Sequence, residues 1–239
     1  GDWVESKSII IVPEIFDVFP TFRRGVVIVN FMKNEHHNSM IDSLLRKAVD
    51  ERRSNNWIEH EYVKAWDEAH RKFNSNPNRY PPSVKALLKR IQKGGGVPFI
   101  NSAVALFNYI SLKYLLPCGG DDVARISGNL CLGFASGKEK FVPLGGNEEE
   151  NPISGEVIYF DDKSLKVMCR KWNWRNGEFS KITEDTKRAV INIDGIGPVP
   201  DEIILEARDE LAELFRRYCE AEVSVALLTK ENNILSINM

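Results

Sequence analysis

The chain has 239 residues, 43% of them hydrophobic and 28% charged, with a formal net charge of −2. That is material for one large globular unit with a sizeable core. It excludes a low-complexity or collagen-like chain, and the near-neutral total names no partner.

In chain order, "SIIIV" (8–12) and "GVVIVNF" (25–31) predict two buried strands, because β-branched residues dominate both. Pro13 and Pro20 bound the segment between them. Residues 38–54 predict an amphipathic helix with Asn38 or Ser39 as cap. A second helix is predicted over 58–73, where Tyr62, Val63, Trp66, Ala69 and Phe73 supply the apolar spacing. A Pro- and Asn-rich breaker follows at 74–82. A third helix covers 83–93, with Val84, Leu87, Leu88 and Ile91 inward and Lys85, Lys89 and Lys93 on another face. A fourth, 101–116, is largely apolar and is stopped by Pro117 and "CGGDD".

The texture then changes. Short strands are predicted at 129–135, 140–144, 156–161, 166–174 and 188–194, separated by Gly, Asn and Pro turns. A long helix over 200–221 has Pro200 at its start and Arg216 and Arg217 late. "VSVALL" (223–228) and "NILSIN" (233–238) read as a closing hairpin. Helices first and strands second argue an α+β fold in one compact unit.

Four cysteines, Cys118, Cys131, Cys169 and Cys219, form no CxxC pair. Their spacing fits a reducing cytoplasm and gives no zinc motif. The four histidines, His36, His37, His60 and His70, include no i, i+4 pair, so no metal or cofactor is expected. There is no leader pattern at the start and no apolar run long enough to span a bilayer, so the expectation is a cytoplasmic protein off the membrane. Oligomeric state stays open.

Charge is unevenly placed. From His70 to Gly120 there is no acid, and Arg71, Lys72, Arg79, Lys85, Lys89, Arg90, Lys93 and Lys113 give +8. Such a segment suits a polyanion, or else it is a set of helix faces neutralised by other segments. In "WNWRNGEFSKITEDT" (172–186), a strand would place Arg170, Trp172 and Trp174 on one face. Asn176-Gly177 is a type I′ hairpin signal that would set Arg175 opposite Glu178. Tryptophan interleaved with arginine suits stacking on bases and pairing with phosphate, and equally suits a buried tryptophan pair beside a cross-strand ion pair. Asp121 and Asp122 read as turn caps.

"INSAVALFNYISLKYLLPCGGDDVARISGNL" (100–130), "SGEVIYFDD" (154–162) and "CRKWNWRNGEFSKITEDTKRAVINID" (169–194) resemble the editing domain of the phenylalanyl-tRNA synthetase β subunit, over roughly residues 80–230. The resemblance implies a β-sandwich of unusual topology flanked by helices, with residues 1–75 (two strands, two helices) as an N-terminal extension and 76–239 as the editing-like domain. It implies a free-standing domain that hydrolyses a mischarged aminoacyl-tRNA in trans. By the same resemblance, Asn101 and Asn108 match the helix leading to the pocket, Glu178 the acid that reads the substrate hydroxyl, and Thr186 a following "DT" position. Departures accompany it: Pro117-Cys118-Gly119 stands where the family has a histidine after a turn, Phe179 follows Glu178 in place of histidine, and "WNWRN" replaces a small-residue loop.

The candidate substrate-binding residues are therefore Glu178, Arg175, Trp174, Trp172, Asn108, Gly119, Glu156 and Thr186, with Asp161 beside Glu156. Arg79, Lys85, Lys89, Arg90 and Lys93 are the candidates for tRNA phosphate. Three readings compete: a deacylase, a binding module for RNA or an amino acid that has lost hydrolysis, and a small-molecule enzyme reusing the pocket.

Overall fold

The computed structural model describes residues 6–237. Strands β1 (Lys7–Ile11) and β2 (Arg23–Asn30) flank the short helix α1 (Pro13–Val18). Helices α2 (Ser39–Glu51), α3 (Glu61–Lys72), α4 (Ser83–Gln92) and α5 (Ser102–Tyr114) follow. Then come β3 (Cys118–Asp122), β4 (Leu130–Phe134), β5 (Val157–Asp161), β6 (Val167–Arg170), β7 (Arg175–Asn176) and β8 (Ala189–Gly195). The chain ends with α6 (Asp201–Cys219), β9 (Glu222–Leu228) and β10 (Ile234–Ile237). The fold is α+β, as the order of patterns predicts. Asn38 and Asn101 cap α2 and α5 by accepting from Ile41 N and Val104 N, the arrangement their side chains favour.

The strands form two sheets, one ordered β10-β1-β4-β5-β6-β7 and the other β3-β8-β2-β9. They stack face to face. Val26, Ile28 and Val190 of the four-stranded sheet share one core with Ile9, Ile11, Leu130, Leu132, Val157 and Tyr159 of the larger sheet. The alternate residues Val27, Val29, Ile191 and Ile193 pack on the other side against α2, α4, α5 and α6. A strand buried on both faces needs the near-continuous apolar run that β2 has. Period-2 alternation thus sorts one strand's residues into two cores.

Residues 1–75, expected as an extension, supply a strand to each sheet. β1 lies between β10 and β4, and β2 between β8 and β9. The expected C-terminal hairpin does not form: β9 pairs with β2 in one sheet and β10 with β1 in the other. The apolar edges of β1 and β2 offer ladders that a two-stranded hairpin lacks. Residue 238 of that segment lies outside the described residues. "CGGDD", expected as a breaker, is the edge strand β3, paired with β8 from Cys118↔Ile193 to Asp122↔Ala189. Here the ladder offered by β8 overrides poor intrinsic propensity. Residues 140–144, expected as a strand, make isolated bridges only and lay Phe141 over the outer face of the larger sheet.

The quoted stretch also folds differently from its pattern. β6 and β7 pair Arg170 with Arg175, so the turn is 171–174 rather than Asn176-Gly177. Lys171 (φ 47°) and Trp172 (φ 63°) both take the left-handed conformation, which costs a non-glycine residue about 1–2 kcal/mol. Two interactions hold it. Glu156 accepts from Lys171 N at 2.9 Å while pairing with Arg170 at 2.7 Å. Trp172 is buried among Phe19, Phe22 and Trp66, each edge-on with centroids at 4.7, 5.0 and 5.1 Å. Glu156 is therefore a structural anchor, and Trp172 and Trp174 do not share a strand face. Trp172→Ala should cost about 3–5 kcal/mol, read as a fall in the urea midpoint; a change below about 1 kcal/mol would contradict this packing.

Candidate functional site

A pocket of about 50 Å³ lies between the sheets at the β3 edge. The inter-sheet face of the four-stranded sheet turns polar there. Register puts Arg24 opposite Asp194, Val26 opposite Asn192, and Asn192 opposite Gly119, so these side chains share one face. From the larger sheet come Tyr159 on β5, Cys169 on β6, and Trp172, Asn173 and Trp174 of the turn; Ser83 at the start of α4 closes the rim.

Arg24 is 1% exposed and binds Asp194 through two hydrogen bonds, Nε to Oδ1 at 2.7 Å and Nη2 to Oδ2 at 3.0 Å. Trp172 Nε1 donates to the same carboxylate at 3.2 Å. Burial pulls the guanidinium pKa down, but Asp194 outweighs it and the net shift is upward. The fork of Arg24 is thereby fixed, and its Nη1 is left over.

Among the described residues, twelve buried side-chain N or O atoms make no hydrogen bond within the chain, and four of them line this pocket: Arg24 Nη1, Tyr159 Oη, Asn173 Nδ2 and Ser83 Oγ. Buried polar groups are normally paired, so such clustering marks a place built for a ligand or for water. Asn173 is itself oriented: its Oδ1 lies 2.7 Å from His70 Nε2, leaving the amide nitrogen for the pocket. His70 is buried, which lowers its pKa to about 4. The neutral imidazole thus donates Nε2–H to Asn173.

Asp121 also lines the pocket. It is a β3 residue accepting from Ser180 Oγ at 2.7 Å, whereas Asp122 caps the next turn by accepting from Ala124 N and holds Thr186 Oγ1 at 2.8 Å. Burial drives the Asp121 pKa up to about 7, with Ser180 and Arg24 opposing and Asp122 adding to the rise. A carboxyl poised near neutrality in a pocket is suited to proton transfer. Gly119 keeps the mouth open: a Cβ there would meet nothing closer than Asn192 at 3.8 Å.

Of the sequence candidates, the pocket gathers Gly119, Trp172 and Trp174. Glu178 is outside its lining. It accepts from Gly145 N at 2.8 Å and pairs with Lys181, contacts that hold its pKa below the usual range. Arg175 is exposed, with its guanidinium over Trp174 at 5.5 Å. Asn108 is half-buried on α5 and Thr186 fixes the loop beside β3. Asp161 ties down a turn by accepting from Ser127 N and Gly128 N. Lys85 is 3% exposed and paired with Asp67 at 2.9 Å, because its position on α4 faces α3; it is withdrawn from any phosphate surface. Lys113 pairs with Glu210. Arg79, Arg90 and Lys93 are exposed and Lys89 half-buried.

Arg24, Tyr159 and Asn173 went unread in the sequence, and Asp121, expected as a turn cap, lies within β3. One signal was there: Arg24 falls on the same period-2 face as Val26 and Ile28, a charge on an inward face. Among the described residues no group of three or more His, Cys, Asp or Glu is placed to hold a metal ion, and no helix is long and apolar enough to cross a membrane.

The family model for the B3/4 domain matches residues 65–220. The chain belongs to the B3/4 domain family. A curated relative, the phenylalanine–tRNA ligase beta subunit of Photorhabdus laumondii, is 27% identical over 105 residues, 44% of this chain and 13% of that protein. An N-terminal fragment of the phenylalanyl-tRNA synthetase beta subunit from Pyrococcus horikoshii aligns with a TM-score of 0.46 at 13% identity, covering 89% of this chain and 49% of the fragment. This B3/4 chain therefore spans well under two thirds of the relatives it matches.

The Asp121 pKa has a consequence for stability. A carboxyl whose folded pKa is raised stabilises the fold fully below its unfolded pKa, near 4, and loses that contribution as pH rises through about 7. Asp121→Asn should therefore gain stability relative to wild type by at least about 1 kcal/mol between pH 5 and pH 8. Parallel denaturant curves at the two pH values would contradict it.

Proposed function

We propose that this B3/4 domain is an editing-like hydrolase that cleaves a mischarged aminoacyl-tRNA in trans. The observation that carries the reading is the pocket at the β3 edge, where buried donors without partners meet a carboxyl of raised pKa. The curated relative, a phenylalanine–tRNA ligase beta subunit, points to the substrate class. Water attacks the ester carbonyl carbon, and the bond from that carbon to the ribose oxygen breaks. Asp121 takes the proton from the water and passes it to the departing ribose oxygen.

The exposed Arg79, Arg90 and Lys93, with Lys89, meet tRNA phosphates beside the rim residue Ser83. Glu178 and Arg175 reach the RNA or the amino acid only from outside the lining. Four free thiols suit the cytoplasm, where charged tRNA is found.

A second reading has its own support. No histidine lines the pocket, and Glu178 is occupied by Gly145 and Lys181. On that reading the domain binds aminoacyl-tRNA without turnover.

Deacylation of a panel of mischarged tRNAs by the purified protein decides between them. The expected result is acceleration that rises with pH through about 7 and falls at least about a hundredfold in Asp121→Asn. Gly119→Val should reduce it similarly by filling the mouth while leaving the unfolding midpoint within about 1 kcal/mol. No acceleration across the panel, with salt-dependent tRNA binding intact, selects the binding module.

A further inference from the structure

We propose that the pocket selects an aminoacyl group whose side chain ends in a small, uncharged, oxygen-bearing head, a hydroxyl or a carboxamide. The inference rests on the aminoacyl-tRNA reading above and names the substrate class. It follows from what the pocket offers and what it already holds.

The offer is donor-rich. Arg24 Nη1 and Asn173 Nδ2 can only donate, and Tyr159 Oη and Ser83 Oγ carry one O–H each; none is paired within the chain. A hydrocarbon side chain would strand these groups. A site built to hydrogen-bond a substrate oxygen rejects the analogue lacking it far more strongly than an apolar pocket rejects a methylene. Arg24 and Tyr159, 1% and 3% exposed, form the floor, with the guanidinium carbon 4.8 Å from the Tyr159 ring centroid.

Charge excludes a carboxylate head. Arg24 is already neutralised by its two bonds to Asp194. Asp121 is a second carboxyl on the same side, and burial already disfavours its ionised form. An incoming carboxylate would make three carboxyl groups around one guanidinium. The enclosed space is small, about 50 Å³, which suits a hydroxyl or an amide at the floor.

Two isosteric pairs test this on the full-length chain. Acceptor-stem minihelices carrying the amino acid through a non-hydrolysable 3′-amide would be titrated by calorimetry. Threonine should bind at least about tenfold tighter than valine, and asparagine at least about tenfold tighter than aspartate. Tyr159→Phe deletes only an unpaired hydroxyl, so the variant should fold at least as stably as wild type. It should cut the threonine-to-valine ratio by about three- to tenfold and leave valine affinity unchanged.

Valine binding as well as threonine, or aspartate as well as asparagine, overturns the proposal, as does an unchanged ratio in Tyr159→Phe or binding of none of the four. The outcome is separable from that of the deacylation panel. Hydrolysis without these ratios sinks the selectivity and spares the hydrolase. The ratios without hydrolysis sink the hydrolase and spare the selectivity.

Discussion

Arg24 and Asp194 face each other across β2 and β8, and neither side chain reaches water, each being about 1% exposed. Removing a guanidinium and a carboxylate from solvent is expensive, and the cost is offset only when geometry is good and further hydrogen bonds are made. Both conditions hold: the contact is two-pronged, and Trp172 donates a third bond. Deleting either partner would strand the other charge, at a cost of about 3–5 kcal/mol. The pair also fixes position. It pins the tip of the β6–β7 turn, which belongs to the larger sheet, onto the inner face of the smaller one.

That pin explains an otherwise costly backbone. Consecutive left-handed residues at Lys171 and Trp172 persist because Glu156 grips the Lys171 amide and three rings enclose the Trp172 indole. Strain held by its surroundings is common where side chains must be aimed. Here it aims Asn173, which His70 steadies from behind, and Trp174, which packs edge-on against Tyr80 at 4.7 Å. The pocket wall is therefore held at several points by contacts from both sheets and from α3. The same arrangement gives the N-terminal strands a part in the site, since β2 supplies Arg24 and the α1–β2 connection supplies Phe19 and Phe22.

Much of the fold could be read from residues alone. The periodicity of 38–54, 58–73, 83–93 and 200–221 marks α2, α3, α4 and α6, since a helix with one buried face writes that face every three or four residues. β2 and β8 were legible from their Val and Ile content. The readings that failed share a cause. Asn176-Gly177 has the local chemistry of a turn, yet the turn sits five residues earlier, where Trp172 gains a cavity lined by rings from distant segments. "CGGDD" has the chemistry of a breaker, yet β8 offers it a ladder. Lys85 looked like part of a basic stripe, and Asp67 on the neighbouring helix drew it inward.

The sequence by itself determined the helices, most of the strands, the α+β order and the motifs of the B3/4 family, because these depend on spacings within one segment. The tertiary structure alone decided which residues make the pocket. Arg24, Asp121, Tyr159, Asn173 and Asp194 lie up to 170 positions apart and meet only through the placement of four strands and one strained turn. Whether a polar side chain is a surface group or an unpartnered donor on a pocket floor depends on what packs around it. For the stretch from Trp172 to Thr186, that packing made one tryptophan a keystone of the core, made Asn173 the group aimed at the pocket, and left Glu178 on the surface with Lys181.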